Sequence, residues 1–140
     1  MADIKLFGME HYREVYALWE RTPGVGLNEI NDSREGIEKF IGRNPLTSFV
    51  AVEEGKVIGS VLGGNDGRRG FVYHLCVDAD YRRKGVGKAL VERVLEALKD
   101  EGINRASLVC LKWNESGNTF WQAMGWERRD DIVYYTKNLT

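Results

Sequence analysis

The stretch from Val77 to Leu90 reads Val-Asp-Ala-Asp-Tyr-Arg-Arg-Lys-Gly-Val-Gly-Lys-Ala-Leu. An apolar strand ends in a short basic loop with two glycines, and an amphipathic helix starts at once. Glycine lets the backbone approach a ligand closely. The first turn of a helix leaves N–H groups without partners, and the helix dipole adds partial positive charge there. The combination is an anion cradle whose natural guest is a phosphate or pyrophosphate. A Walker loop fits badly: Gly87-Lys88 matches its end, but Ala89 stands where a hydroxyl for Mg²⁺ belongs and Arg82 stands where the first glycine belongs. A Rossmann fingerprint also fits badly, because Gly85 and Gly87 supply two glycines while Leu90 occupies the third position. A Gly-rich turn that binds nothing is the bland alternative.

The elements around this loop follow from periodicity. Ile4 to Phe7 reads as a first strand, and Glu10 to Arg21 as a helix with Tyr12, Val15, Tyr16 and Trp19 on one stripe. Thr22 to Leu27 is rich in breakers. A second helix is expected to start near Asp32, where Asp32-Ser-Arg-Glu35 has the form of a capping box, and to stop before Pro45. Ser48–Glu53 and Val57–Leu62 form a hairpin about Glu53-Glu-Gly-Lys56. Gly63 to Gly70 reads as a longer turn and Phe71–Val77 as the central strand. Val86, Leu90, Val94 and Leu98 recur at helical spacing up to Gly102, a suitable left-handed cap. Arg105–Leu111 reads as a strand, Glu115–Met124 as a helix, and Trp126–Glu127 and Ile132–Lys137 as closing strands. The strand–helix–strand unit in the middle requires a parallel pair, and the flanking hairpins require antiparallel ones. The expected fold is a mixed, mostly antiparallel α/β sheet of about seven strands with helices on both faces, in one domain over residues 1–140.

Bulk properties narrow the function classes. Twenty Lys and Arg stand against 21 Asp and Glu in 140 residues, a balance unlike that of a general nucleic-acid binder. No apolar run approaches the roughly 18 residues that span a membrane. The start Met-Ala-Asp-Ile-Lys-Leu-Phe has no basic segment leading into an apolar one, so no signal peptide is expected and a cytoplasmic location is. Cys76 and Cys110 sit in apolar runs and read as buried free thiols. Their spacing makes no zinc site, and no metal is expected.

The loop Arg82-Arg83-Lys84-Gly85-Val86-Gly87 matches Arg/Gln-x-x-Gly-x-Gly/Ala and resembles the coenzyme A loop of the GNAT superfamily of N-acetyltransferases. Asn114-Glu-Ser-Gly-Asn-Thr-Phe-Trp-Gln-Ala-Met-Gly-Trp126 resembles a second segment of that superfamily, with Asn114, Phe120, Gly125 and Trp126 agreeing in type and spacing. Taken singly these residues also read as a helix cap, a core ring, a helix terminator and a packed ring. The element order is similar over nearly the whole chain, nearest to the ribosomal-protein alanine acetyltransferase-like branch.

The resemblance implies acetyl transfer from acetyl-CoA to a primary amine by direct attack in a ternary complex, the amine belonging to a small molecule, a protein N-terminus or a lysine. It assigns the backbone of Leu75, Cys76 and Val77 to the pantetheine arm and thioester. The backbone of Arg83, Lys84, Gly85, Val86, Gly87 and Lys88 goes to the pyrophosphate, with the side chains of Arg82, Arg83, Lys84 and Lys88 adding charge. Asn114, Phe120 and Trp121 would line the cofactor arm.

Two departures matter. Many members of the superfamily place a tyrosine at position 121 that protonates the departing thiolate, and an indole N–H cannot give up its proton usefully. The branch's glutamate on the strand before Asn114 is also missing, with Val109 near its position. Tyr73 and His74 on the central strand are the remaining proton-transfer candidates, and a solvent chain could also deprotonate an ammonium. Cys76, flanked by Leu75 and Val77, has no electropositive neighbour in sequence to make it a nucleophile. The alternative to an enzyme is an acetyl-CoA-binding module or sensor with little turnover, and a nucleotide-binding protein is a third class. A monomer or a homodimer is expected.

Overall fold

The computed structural model describes residues 2–140. These fall into two compact units, one running up to Val109 and the other Cys110–Thr140.

The first unit is a five-stranded sheet in the order β1-β2-β3-β4-β5. The strands are β1 (Asp3–Leu6), β2 (Phe49–Glu53), β3 (Lys56–Asn65), β4 (Gly70–Val77) and β5 (Ala106–Leu108), and the helices are α1 (Tyr12–Glu20), α2 (Arg34–Arg43) and α3 (Val86–Asp100). Three neighbouring pairs are antiparallel and the β4–β5 pair is parallel, as the α3 crossover demands. The β2–β3 hairpin turns on Glu54 and Gly55, both with positive φ (50° and 77°), the twist-matching geometry of a two-residue primed turn.

Helices cover both faces of the sheet. A Cβ added to Gly63 would meet Val94 of α3 at 2.7 Å, and one added to the next residue, Gly64, would meet Phe40 of α2 at 2.8 Å. Successive strand residues point to opposite faces, so α3 lies on one side and α2 on the other. The face toward α1 and α2 is filled by Val15, Leu18, Trp19, Ile37, Val50, Leu62 and Cys76. Val91, Val94 and Leu90 of α3 are wholly buried, the stripe that the sequence spacing anticipates. Gly102 (φ 81°) ends α3, with its N–H bonded to Lys99 O and that of Ile103 bonded to Leu98 O.

Several boundaries differ from expectation. α2 is capped by Ser33, whose Oγ accepts from the Gly36 N–H at 3.0 Å, not by Asp32. β3 runs on through Gly63 to Asn65, so the turn before β4 is confined to residues 66–69, where the Asp66 carboxylate accepts from the N–H groups of Arg68 and Arg69.

The larger correction concerns strand number, which is five and not about seven. Neither Trp126–Glu127 nor Ile132–Lys137 is a strand, and the expected Arg105–Leu111 strand shortens to Ala106–Leu108. Side-chain alternation says which residues would share a face, but a strand also needs a partner for its backbone groups. Among the described residues these segments have no ladder partner. Trp126 donates its N–H to Trp121 O, and Ile132, Val133, Tyr134 and Tyr135 are exposed.

The second unit contains α4 (Glu115–Ala123). Asn114 caps it, accepting from the Gly117 N–H at 2.9 Å, and Gly125 (φ 89°) follows its end. Phe120, Trp121 and Trp126 form an edge-to-face cluster with ring centroids 5.1 Å apart at each contact. Arg128 pairs with Asp130 and Arg129 with Asp131.

Candidate active site

The β4–α3 connection has the conformation its glycines suggest. Arg83 (φ 62°) and Gly85 (φ 80°) are both left-handed. Gly85 is the N-cap of α3 and brings no side-chain cap. Its carbonyl accepts the Ala89 N–H at 3.0 Å, so the N–H groups of Val86, Gly87 and Lys88 form the open first turn. The side chains of Arg82, Arg83, Lys84 and Lys88 are exposed around it. Arg82 Nε donates to Val77 O at 3.3 Å and Lys84 sits 5.4 Å over the Tyr81 ring. The result is an electropositive helix start with backbone donors accessible to an anion.

The preceding strand is equally specific. Its parallel pairing covers Gly70–Val72 against Ala106–Leu108, so residues 73–77 run on past the last β5 partner. Opposite β3, Ser60 pairs with Cys76 and Leu62 with Tyr73. Three steps along β4 therefore face two along β3, which is a bulge. His74 within it has φ 51°. The bulge changes the alternation. Phe71 and Tyr73 stack with centroids 4.7 Å apart, with Phe40 of α2 5.8 Å from Tyr73. Beyond the bulge Cys76 faces the same side, its Sγ 3.5 Å from Ser60 Oγ, which itself accepts from Trp19 Nε1.

His74 makes a pairing the sequence did not announce. Its Nε2 lies 2.8 Å from Asp32 Oδ1, and its ring stands edge-on 4.9 Å from Trp19. Asp32 is itself anchored: Oδ2 accepts the Asn28 N–H at 2.8 Å and its carbonyl accepts the Tyr12 hydroxyl at 2.6 Å. Burial, with Tyr16 and Asp32 adding negative field, pushes the Tyr12 phenol up, so it stays a donor. The only sequence hint was that Asp32 and Ser33 stand side by side at a helix start, where one cap suffices.

Other candidates are spent locally. Burial pushes the Cys76 thiol up to about 11, which makes it a poor nucleophile. Cys110 is half-buried and its thiol is also raised by burial. Asp78 caps the turn at Asp80, accepts from Arg21 Nη2 at 3.0 Å and lies 3.8 Å from Lys56 Nζ. The Asp80 N–H first, then Arg21, hold its carboxyl below the usual carboxylate range. These groups border a pocket of about 520 Å³ at the C-terminal end of α1, with Arg82 on its wall. Asp66 accepts from the N–H groups of its own turn and Asp130 pairs with Arg128. Among the described residues no three His, Cys, Asp or Glu side chains gather as metal ligands. No described helix is long and apolar enough to cross a membrane.

Residues 12–126 match the family model described as acetyltransferase (GNAT) family. The chain belongs to that family. A GNAT relative, an acetyltransferase of Sodalis glossinidius (strain morsitans), is 32% identical over 137 residues, covering 98% of this chain and 95% of its own. An acetyltransferase of Pectobacterium atrosepticum is 32% identical over 131 residues, covering 94% and 92%. Among solved structures, Ard1 from Thermoplasma volcanium aligns with TM-score 0.79 at 20% identity over 89% of this chain and 81% of that one. AAC(6')-Iy in complex with the bisubstrate analogue CoA-S-monomethyl-acetylneamine aligns with TM-score 0.78 at 22% identity over 99% of both chains. An acetyltransferase with acetyl-CoA from Clostridium acetobutylicum aligns with TM-score 0.74 at 16% identity, over 97% of this chain and 96% of that one. The sheet and helices described above are thus those of a GNAT fold with five strands.

Proposed function

We propose that this chain moves an acetyl group from acetyl-CoA to a primary amine by direct attack of the amine on the thioester, with both substrates bound together. The observation that carries the reading is the open first turn of α3 behind the left-handed Gly85, at the end of a strand that outruns its β5 neighbour. A pyrophosphate fits the N–H groups of Arg83 through Lys88, with Arg82, Arg83, Lys84 and Lys88 supplying charge. The backbone of Leu75, Cys76 and Val77, on the stretch of β4 that runs past its last β5 partner, suits an amide-bearing arm that adds itself to that strand edge as another strand would. Asn114, Phe120 and Trp121 receive their part in holding that arm from the match of the Asn114–Trp126 segment to the family pattern alone. The family membership and the cofactor-bound neighbours support the same reading.

Chemically, the chain's main task is to hold amine and thioester carbonyl together, which supplies much of the rate. The C–N bond forms, the C–S bond breaks, and the amine loses a proton. His74 and Tyr73 are the β4 side chains available for proton transfer. The raised Cys76 thiol weighs against an acetyl-cysteine intermediate. Residues 1–140 act as one catalytic domain in the cytoplasm, as a monomer or homodimer.

The test is calorimetry with acetyl-CoA and ATP side by side, followed by release of free coenzyme A with spermidine, tyramine and a peptide bearing a free N-terminal alanine. Binding of acetyl-CoA but not ATP, with release stimulated by at least one amine, is the expected result. Tight acetyl-CoA binding with no release under any amine would move the reading to a sensor, which the indole at Trp121 favours. Preference for ATP would overturn both.

A further inference from the structure

We infer that Asp32 and His74 form a proton-removing pair: Asp32 holds His74 as the Nε2–H tautomer, and the lone pair on Nδ1 takes the proton that the attacking amine loses. This deepens the transferase reading and rests on it. Atoms balance as follows. The amine nitrogen bonds to the acetyl carbon, the thioester sulfur leaves with the C–S electron pair, and one N–H proton passes to Nδ1. The imidazolium then passes that proton to the coenzyme A thiolate, directly or through solvent, giving amide and thiol.

Four observations carry the assignment. The Nε2–Oδ1 contact is short, 2.8 Å, and joins side chains that are only 17% and 7% exposed. A carboxylate at that distance accepts, which places a hydrogen on Nε2, and the neutral ring then carries its lone pair on Nδ1. Among the described residues Nδ1 has no hydrogen-bond partner. Second, Asp32 is not needed where the sequence seemed to use it, because Ser33 caps α2. Its own geometry is fixed from two sides, by the Asn28 N–H and the Tyr12 hydroxyl, so it can fix the ring in turn. Third, His74 occupies a left-handed conformation, φ 51°, inside a strand. Non-glycine residues hold that conformation at a cost, and such outliers gather at functional sites. Fourth, the bulge sets His74 immediately before Leu75, where β4 has already left β5 behind. Trp19, edge-on at 4.9 Å, closes the other side of the ring.

The ionisable groups around the ring are few. Asp32 comes from the α1–α2 connection, Tyr12 and Tyr16 from α1, and Tyr73 adjoins on β4. Arg34 and Glu35 of α2 act on the cluster through Tyr12, with the Arg34 guanidinium 5.9 Å over its ring. Among the described residues the one carboxylate in direct contact is Asp32. Asp32 is therefore a positioning residue and His74 the catalytic one. The rival is a plain clasp tying the α1–α2 connection to β4.

The experiment uses the full chain, acetyl-CoA and the amine from the panel that gives most turnover. In Asp32→Asn the side-chain oxygen is drawn to the Asn28 N–H. The amide NH₂ then faces Nε2 and drives the hydrogen to Nδ1, the wrong tautomer. The expected result is an exchange of the two His74 ring nitrogen signatures in ¹⁵N NMR, a kcat lower by about 10²–10⁴-fold, and an unchanged KM for acetyl-CoA. His74→Gln should show a like fall. His74→Gly accepts the positive φ without strain and leaves room for added imidazole, which should restore turnover about tenfold or more. If these variants keep kcat within about threefold while melting earlier, or if imidazole restores nothing, the pair is only a clasp. Wild-type protein that turns over no amine would overturn the transferase reading and this one with it. Turnover in the wild type matched by the variants overturns this one alone.

Discussion

Gly85→Ala isolates what the left-handed turn before α3 is worth. A Cβ at Gly85 would meet nothing within 4 Å, so the substitution has no steric term. What it meets is φ 80°, a conformation that costs an L residue roughly 1–2 kcal/mol. Gly42 gives the matched control. It too would meet nothing within 4 Å, but it lies inside α2 at an ordinary helical φ. There alanine should add about 0.5–1 kcal/mol of stability by restricting the unfolded chain and favouring the helix. Two substitutions of the same kind, both into open space, should therefore shift stability in opposite directions, ending about 2 kcal/mol apart. Urea denaturation with a common m-value reads the difference directly, and Gly85→Asn should recover part of the loss because asparagine tolerates the left-handed region. Calorimetry on the same proteins should show coenzyme A binding weakened in Gly85→Ala and unchanged in Gly42→Ala. A Gly85→Ala protein as stable as wild type, or shifted in the same direction as Gly42→Ala, would refute the argument that conformation and not space holds glycine at the cradle.

Three other outcomes follow from the geometry. With its thiol pushed up to about 11, Cys76 has a thiolate fraction on the order of 10⁻⁴ at pH 7. Cys76→Ala should keep turnover, and native protein should react with iodoacetamide at Cys110 first; an acetylated Cys76 trapped by acid quench would contradict this. The Asp78 carboxyl is held below its ordinary value near 4 by the Asp80 N–H and Arg21. Its stabilisation is thus fully present above that value and is lost as pH falls through the lowered one. Asp78→Asn should cost about 1–2 kcal/mol at pH 7, with the gap to wild type closing below about pH 4; a gap independent of pH would count against the assignment. The family pattern puts at position 121 a tyrosine that protonates the leaving thiolate, so Trp121→Tyr should raise coenzyme A release by up to roughly tenfold. An unchanged rate with a good amine would show that Trp121 does not limit the chemistry.

Much of this protein was written in local pattern. The α3 stripe Val86, Leu90, Val94 and Leu98, the Glu54-Gly55 hairpin turn and the Gly102 terminator depend on residues a few positions apart, where periodicity and allowed φ decide the outcome. The cradle at Arg82–Lys88 is likewise local, because a helix start and its glycines lie within one turn of each other. What stayed hidden depends on partners distant along the chain. Ile132 to Lys137 has the β-branched and aromatic composition of a strand yet forms none, since a ladder needs a second backbone that composition cannot name. The bulge at His74 appears only when three residues of β4 face two of β3. The Asp32–His74 contact spans 42 positions, and the sequence spent Asp32 on a helix cap that Ser33 makes instead. Sequence alone determined where an open helix start flanked by glycines and basic side chains would lie, because these features sit within one turn of each other. Tertiary structure decided which histidine nitrogen faces a carboxylate, because only the meeting of the α1–α2 connection with β4 brings Asp32 to the ring.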